Sequence, residues 1–316
     1  MRAGELDRLL DMCLERLPLD SPQLRRGKVR DVLDLGSELL IVTTDRISAF
    51  DCVLTTIPCK GEVLNTLSLH WFRATEDIVP HHVREELSPR TIRALRCEIL
   101  PVEVVVRGYL TGSAWRDYQK GSAVSGIRLP PGMRFNQRFD RPLLTPSTKE
   151  MGGAHDRPIS REEILGQGLV PRAVWERVEE ASLALFRRGS ELAARQGLVL
   201  VDTKYEFGLH DGTLVLADEL HTPDSSRYWY ADSYDRRFAE GAAQRELDKE
   251  YLRQWLLARG WSGDGTPPDI PDEVRREVAR KYVGAWETIT GRQFSPRAGT
   301  EKEEMSLVHA CLAAGA

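Results

Sequence analysis

No stretch of the 316 residues approaches the run of ~20 apolar residues that a membrane-spanning helix needs. The N-terminal MRAGELDRLLDMCLERL reads as a charged amphipathic helix without the apolar core of a signal peptide. Cysteine is sparse: Cys13, Cys52, Cys59, Cys97 and Cys311 are odd in number and widely spaced, and no CxxC pair occurs. That argues against a zinc site and for a reducing, cytoplasmic home. Nor is there an excess of positive charge. The balance of 44 basic and 48 acidic residues leaves −4, which argues against general affinity for nucleic acid. A local basic pocket for a phosphorylated small molecule remains compatible with it. GxxxxGK[ST] is absent, which excludes a P-loop. No GxGxxG follows a strand, and no HExxH occurs.

What is present suits a globular chain. Hydrophobic residues make up 41% of the sequence, enough for two packed lobes. RGKVRDVLDLGSELLIVTTDRISAF suggests two strands around a Gly36-Ser37 turn, and IPCKGEVLNTLSLHWFRAT turns helical near Val63. CEILPVEVVVRGYL is strand-like and buried; GSAWRDYQKG opens a helix that stops at Gly121. Residues 126–160 are rich in Pro and Gly without a clear period, as in a functional or mobile loop. Residues 171–196 form a long amphipathic helix, and about 240–290 is helical, with a stripe of Leu247, Tyr251 and Trp255. Strands dominate early and helices late, without βαβ alternation, so the fold class is α+β.

The stretch LVLVDTKYEFG places Asp202, Lys204 and Glu206 at every second position. Side chains alternate faces along a strand, so three charges share one face and mostly bulky groups the other. TLVLADEL follows after a His210-Asp211-Gly212 turn, predicting an antiparallel hairpin. A two-residue loop would pair Glu206 with Ala217 and send Asp218 to the opposite face. A three-residue loop with Gly212 left-handed pairs Leu209 with Thr213 and sets Lys204 opposite Asp218. The second register gives every charge a partner and is the expected one. Two nearby carboxylates that leave room for phosphate oxygens suit Mg²⁺. The competing reading is a salt-bridged sheet surface facing solvent.

Other segments offer anion-binding groups. VEVVVRGYLTGS delivers Arg107 at the end of an apolar strand, with Gly108, Gly112 and Ser113 close behind. A guanidinium fork beside a helix start is a good anion cradle, though an arginine capping a strand end would look the same. TPDSSRYW supplies Asp224, Ser225, Ser226 and Arg227, or simply the N-cap of an aromatic helix. RGKVRD brings Gly27, Lys28 and Arg30; TTDRISAFD carries Asp45, Arg46, Ser48 and Asp51; TPSTKEMGGAHD carries Thr148, Lys149 and His155, the last read as a solvated loop histidine.

Taken together, these segments resemble a known family. ILPVEVVVRGYLTGS and LVDTKYEFG, in that order, look like the signature segments of the phosphoribosylaminoimidazole-succinocarboxamide synthases. RGKVRD, TTDRISAFD, KGEVLNTLSLHWF, TPSTKE and ADELHTPDSSRYW are similar to that family at the expected places. The resemblance spans roughly residues 25–235, extends more weakly to the C-terminus, and is to the longer form that includes the fungal enzyme. Cys59 departs from the glycine expected before Lys60-Gly61.

The resemblance implies two α+β lobes with ATP in a cleft, akin to kinase and ATP-grasp folds. An ATP-binding lobe, mainly antiparallel sheet, would occupy 1–105. A larger lobe over 106–316 would carry the substrate and metal sites and the C-terminal helices. The implied reaction is an ATP-dependent ligation. ATP, the carboxylated aminoimidazole ribonucleotide (CAIR) and L-aspartate become the succinocarboxamide ribonucleotide (SAICAR), ADP and phosphate, through an acyl phosphate. By resemblance, Glu206 and Asp218 hold Mg²⁺ against the ATP phosphates, and Asp202 and Lys204 meet the nucleotide substrate or the transferring phosphoryl group. Arg107, Ser113 and Arg227 take the 5′-phosphate, with Asp224 also on the substrate side. Gly27, Lys28 and Arg30 lie over the ATP phosphates, Glu103 and the backbone after it meet adenine, and Lys149 is the candidate for aspartate. The partners implied are small molecules only, on a monomer or small homo-oligomer. A small-molecule kinase would share the nucleotide cleft, but no HRD or DFG segment appears. A non-catalytic nucleotide-binding regulator would be expected to lose a metal ligand or a phosphate arginine, and none is missing.

Overall fold

The computed structural model describes residues 3–149, 156–247 and 250–314. The chain divides into two compact units, one of residues 1–70, 82–96 and 248–316, the other of 71–81 and 97–247. The first unit opens with α1 (Ala3–Leu10), followed by β1 (Leu24–Arg26), β2 (Arg30–Asp34) and β3 (Glu38–Thr43). β4 (Arg46–Ala49) and β5 (Cys52–Thr56) form a separate ribbon before α2 (Lys60–Thr75). β6 (Val83–Ser88) and β7 (Thr91–Leu95) complete an antiparallel sheet of order β1-β2-β3-β7-β6. Leu33, Leu40 and Val42 of this sheet pack with Leu14 and Leu17 into one apolar cluster.

α2 starts at Lys60, earlier than its apolar period suggests, because a buried carboxylate organises the turn. Asp45 accepts the Gly61 N–H at 2.9 Å and the Leu14 N–H at 2.8 Å, and pairs with Arg90 at 2.8 Å. Gly61 runs so close to the Thr43 carbonyl that a side chain there would collide with it. Cys59, just before, holds φ +63°, a left-handed conformation in which a glycine would sit without strain. The expected glycine thus has a backbone reason, and this chain tolerates the strain.

The second unit contains β8 (Glu98–Tyr109), α3 (Gly112–Gln119), β9 (Arg138–Leu144), β10 (Ser147–Thr148), α4 (Arg161–Gly166) and α5 (Arg172–Arg195). β11 (Leu198–His210), β12 (Thr213–Ala217), β13 (Ser226–Tyr230) and α6 (Ala231–Glu240) follow. Its sheet has the order β10-β8-β11-β12, with β9 also on β8 and β13 also on β11. The buried residues of α5, among them Val178, Leu185 and Phe186, recur at helical spacing. Phe186 lies against Gly108, where an added Cβ would stand 3.2 Å from its ring. α7 (Glu250–Leu257), α8 (Asp272–Thr290) and α9 (Glu301–Ala314) belong to the first unit. None of the described helices is long and apolar enough to cross a membrane.

This division differs from a boundary at 105. That boundary would cut β8, which runs unbroken to Tyr109 and pairs with β11 through Arg107. The described part of the stretch 126–160 is also more regular than its composition suggests. β9 and β10 lie within it, both on β8, and β9 tolerates Pro142 as an edge strand can. SRYWY is a strand, not the start of a helix. Its aromatics Tyr228 and Trp229 are fully buried, and β pairing with β11 overrides the capping signal of Asp224 and Ser225.

Candidate active site

The charged face of β11 is built by its pairing with β8. Asp202 stands opposite Arg107, Lys204 opposite Val105 and Glu206 opposite Glu103. On the other face Val102, Val104, Val106, Tyr205 and Phe207 are all buried. Each such side chain contributes roughly 1.5–3 kcal/mol of burial. That apolar underside holds the charges above it in register. A one-residue slip would turn Lys204 into the core.

At one end of the face, two lysines and three carboxylates interlock. The Lys204 Nζ donates to Glu206 Oε1 at 2.7 Å and to Glu103 Oε1 at 3.0 Å, and lies 3.9 Å from Asp218 Oδ2. Lys149 donates to the other Glu206 oxygen, Oε2. Burial works against the charge on Glu206, but Lys204 and Lys149 outweigh it and bring its pKa down to about 2. Burial likewise opposes the charge on Lys204, yet Asp218, Glu206 and Glu103 together raise its pKa. Burial raises the pKa of Glu103, against the pull of Lys204. Glu103 lies in mid-sheet, between Ser147 and Glu206, with its carboxylate in this network. Its Oε1 accepts from Lys204 at 3.0 Å.

The other end is cationic. The Arg107 guanidinium donates to Asp202 Oδ2 at 3.3 Å, Ser113 Oγ at 3.0 Å and Thr145 Oγ1 at 2.9 Å. Arg227 approaches Asp202 Oδ1 at 3.8 Å and donates to Thr111 Oγ1 at 3.2 Å. Thr111 is the N-cap residue of α3 and makes no side-chain capping bond, so the helix N-terminus opens beside both guanidiniums. Gly112 holds φ +59°, and an added Cβ would stand 2.8 Å from an Arg227 nitrogen. The arginine pair, hydroxyls and helix start are the kind of donor set that suits an anion.

The hairpin register is the two-residue one, contrary to expectation. His210 pairs with Thr213, and Glu206 with Ala217. Asp211 and Gly212 both adopt positive φ, 49° and 74°, the backbone of a primed turn whose twist suits the flanking strands. Asp218 nevertheless reaches Lys204, because the strand ends at Ala217 and Asp218 turns left-handed at φ +65°. A local break, not strand alternation, delivers this carboxylate. The loop beyond is organised by Thr222, whose hydroxyl donates to Glu219 Oε2 at 2.9 Å and accepts the Asp224 N–H at 3.1 Å. Below the loop, the buried His221 meets the Tyr205 hydroxyl at 2.6 Å, tying it to the strand that carries Lys204 and Glu206.

In the first unit, Gly27 and Lys28 form the turn between β1 and β2, closed by Gly27 N–H to Arg30 carbonyl at 2.8 Å. Arg46 fixes this turn from within: it donates to the Gly27 and Lys28 carbonyls, each at 3.0 Å, and to Asp31 at 2.8 Å. Lys28 pairs with Asp51 at 2.5 Å, both side chains more than half exposed, a pair that adds little to stability. Arg46, singled out in TTDRISAFD, thus acts on the Gly27-Lys28 turn, whereas Thr111 and Thr145 were not expected at the site. The signal available was the place of Thr111 two residues before Ser113 and of Thr145 at the start of TPSTKE. His155 lies outside the described residues. A cavity of about 870 Å³ beside α5, lined by Tyr109, Phe186 and Leu183 among others, shares no residue with the charged face.

Comparison with known proteins bears on this geometry. The family model described as SAICAR synthetase matches residues 23–268. The phosphoribosylaminoimidazole-succinocarboxamide synthase of Bacteroides thetaiotaomicron is 49% identical over 273 residues, covering 85% of this chain and 87% of that one. The enzyme of the same name from Legionella pneumophila (strain Lens) is 44% identical over 292 residues, covering 90% and 93%. A solved structure of the Saccharomyces cerevisiae SAICAR synthase, complexed with SAICAR, superposes with a TM-score of 0.79 at 34% identity, over 90% of this chain and 100% of that one.

Proposed function

The chain belongs to the SAICAR synthetase family, and we propose that its charged sheet face is where a carboxylate is activated by ATP and captured by an amine. The enzyme is an ATP-dependent ligase of purine biosynthesis, joining L-aspartate to the carboxylate of CAIR to give SAICAR, ADP and phosphate. The observation that supports the site assignment is the β8–β11 register, which sets Arg107 and Asp202 and an acidic, lysine-centred cluster along one face.

A carboxylate acylates poorly because its leaving group would be oxide. Transfer of the γ-phosphoryl group makes an acyl phosphate, from which the amine of aspartate displaces phosphate. Such chemistry is mostly positioning and neutralisation of charge. In this reading Arg107 and Arg227, with Ser113 and Thr111, hold the 5′-phosphate, and Asp202 keeps the two guanidiniums in place. Lys204, fixed by three carboxylates, neutralises charge where the substrate carboxylate meets the phosphoryl group. Gly27, Lys28 and Arg30 take the ATP phosphates on a turn shaped by Arg46. Asp224 contacts the ribonucleotide and Lys149 a carboxylate of aspartate. The free cysteines accord with a cytoplasmic setting.

Glu206 and Asp218 fit Mg²⁺. They are hard oxygen donors, and among the described residues no group of three or more potential ligands forms a protein-only cage. Mg²⁺ commonly takes one or two carboxylates and leaves its other places to water and phosphate oxygens. When bound, it would supply neutralisation of the phosphoryl charge. The test is ADP release by the purified chain with each substrate omitted in turn. Release should require CAIR, and SAICAR should form only when L-aspartate is also present. ADP release indifferent to CAIR would overturn the reading.

A further inference from the structure

We propose that Lys149 holds the place of the metal on Glu206 and is displaced when the metal enters, which frees its ammonium to bind a carboxylate of the amine substrate. The proposal rests on the reading of Glu206 as a metal ligand. Both oxygens of that carboxylate are taken, Oε1 by Lys204 and Oε2 by Lys149. A divalent cation cannot join an oxygen that already faces an ammonium group without two positive charges meeting. One lysine has to leave.

The surroundings decide which. Lys204 is held by Glu103, Glu206 and Asp218 together, at 3.0, 2.7 and 3.9 Å. Its Cα is fixed in mid-strand with β8 alongside. Lys149 has Glu206 as its one side-chain partner among the described residues, and its side chain is 37% exposed. It follows β10, and its backbone N–H is anchored to the Pro101 carbonyl at 3.1 Å. The main chain therefore stays while a flexible four-carbon stem swings. Charge favours the exchange. Three carboxylates against Lys204 alone leave an excess of two negative charges, which a divalent ion balances and a second lysine does not.

Once displaced, the Lys149 ammonium stands beside the site with no anion of its own. A carboxylate of the incoming amino acid is the anion the reaction brings there. Metal and amino acid would then strengthen each other's binding by the same factor, as linkage requires.

Mn²⁺ and L-aspartate binding to the full chain, measured by calorimetry without nucleotide, tests this with Lys149→Met and Glu206→Gln. Removing the competing ammonium should tighten Mn²⁺ about ten- to a hundredfold in Lys149→Met, the range of a charge-assisted bond. Mn²⁺ should also tighten L-aspartate in the wild type, and this coupling should vanish in Lys149→Met. Glu206→Gln should lose Mn²⁺ in either background. If it does while Lys149→Met binds Mn²⁺ no tighter than wild type, the exchange is overturned and the metal assignment stands. If Glu206→Gln leaves Mn²⁺ binding unchanged, the metal assignment itself fails. Absence of binding in both wild type and Lys149→Met also overturns the exchange.

Discussion

Glu206→Gln and Asp218→Asn each remove one charge at nearly constant shape. Each should lower kcat by at least about 10²-fold, the scale of losing one preorganised electrostatic group. Circular dichroism should show the fold intact, and near-normal rates in both at saturating Mg²⁺ would remove these residues from the metal site. Arg107→Ala and Arg227→Ala should instead raise KM for the ribonucleotide about ten- to a hundredfold, with little change for ATP or aspartate. Gly112→Ala should mimic Arg227→Ala more weakly, since its Cβ would press on that guanidinium. Equal effects on all three substrates would make the arginines structural. At this scale much was legible. Charge alternation along LVDTKYEFG singled out Asp202, Lys204 and Glu206, because a buried strand tolerates charge only where partners wait. Asp218 was named too, but for the wrong geometric reason: its left-handed backbone has no signature in an aspartate.

Elements were read best where one period dominates. α5 and β11 fall where their patterns put them, since each buries one continuous face. Reading failed where a local signal was outvoted by pairing. Asp211-Gly212 supports a primed turn or a bulged one, and the twist of β11 and β12 decides for the former. β9 and β13 were hidden because prolines and caps speak locally, whereas the strands exist through partners distant in sequence. The neighbour of β11 on its charged side, β8, could not be paired from periodicity alone. That pairing makes Glu103 a member of the site.

For the whole molecule, one buried group sets a pH dependence. Burial lowers the pKa of His221 to about 3, so the folded chain keeps it neutral. The unfolded chain protonates it below about pH 6.5. Between these values the unfolded state binds more protons, so stability falls as pH falls, by up to about 1.4 kcal/mol per pH unit from this group. Urea melts between about pH 6.5 and 5, above the range in which most carboxylates titrate, isolate it. Wild type should lose stability over this range and His221→Gln should lose less; parallel slopes would contradict the assignment.

The central claim is that the charged face brings a phosphoryl group to a substrate carboxylate, and the fate of one oxygen tests it most directly. If an acyl phosphate forms, an oxygen of that carboxylate leaves with the phosphate when aspartate displaces it. CAIR labelled with ¹⁸O in its carboxylate should therefore pass one label into inorganic phosphate per turnover, read by the isotope shift of its ³¹P resonance. Unlabelled phosphate accompanied by normal SAICAR formation would contradict the account.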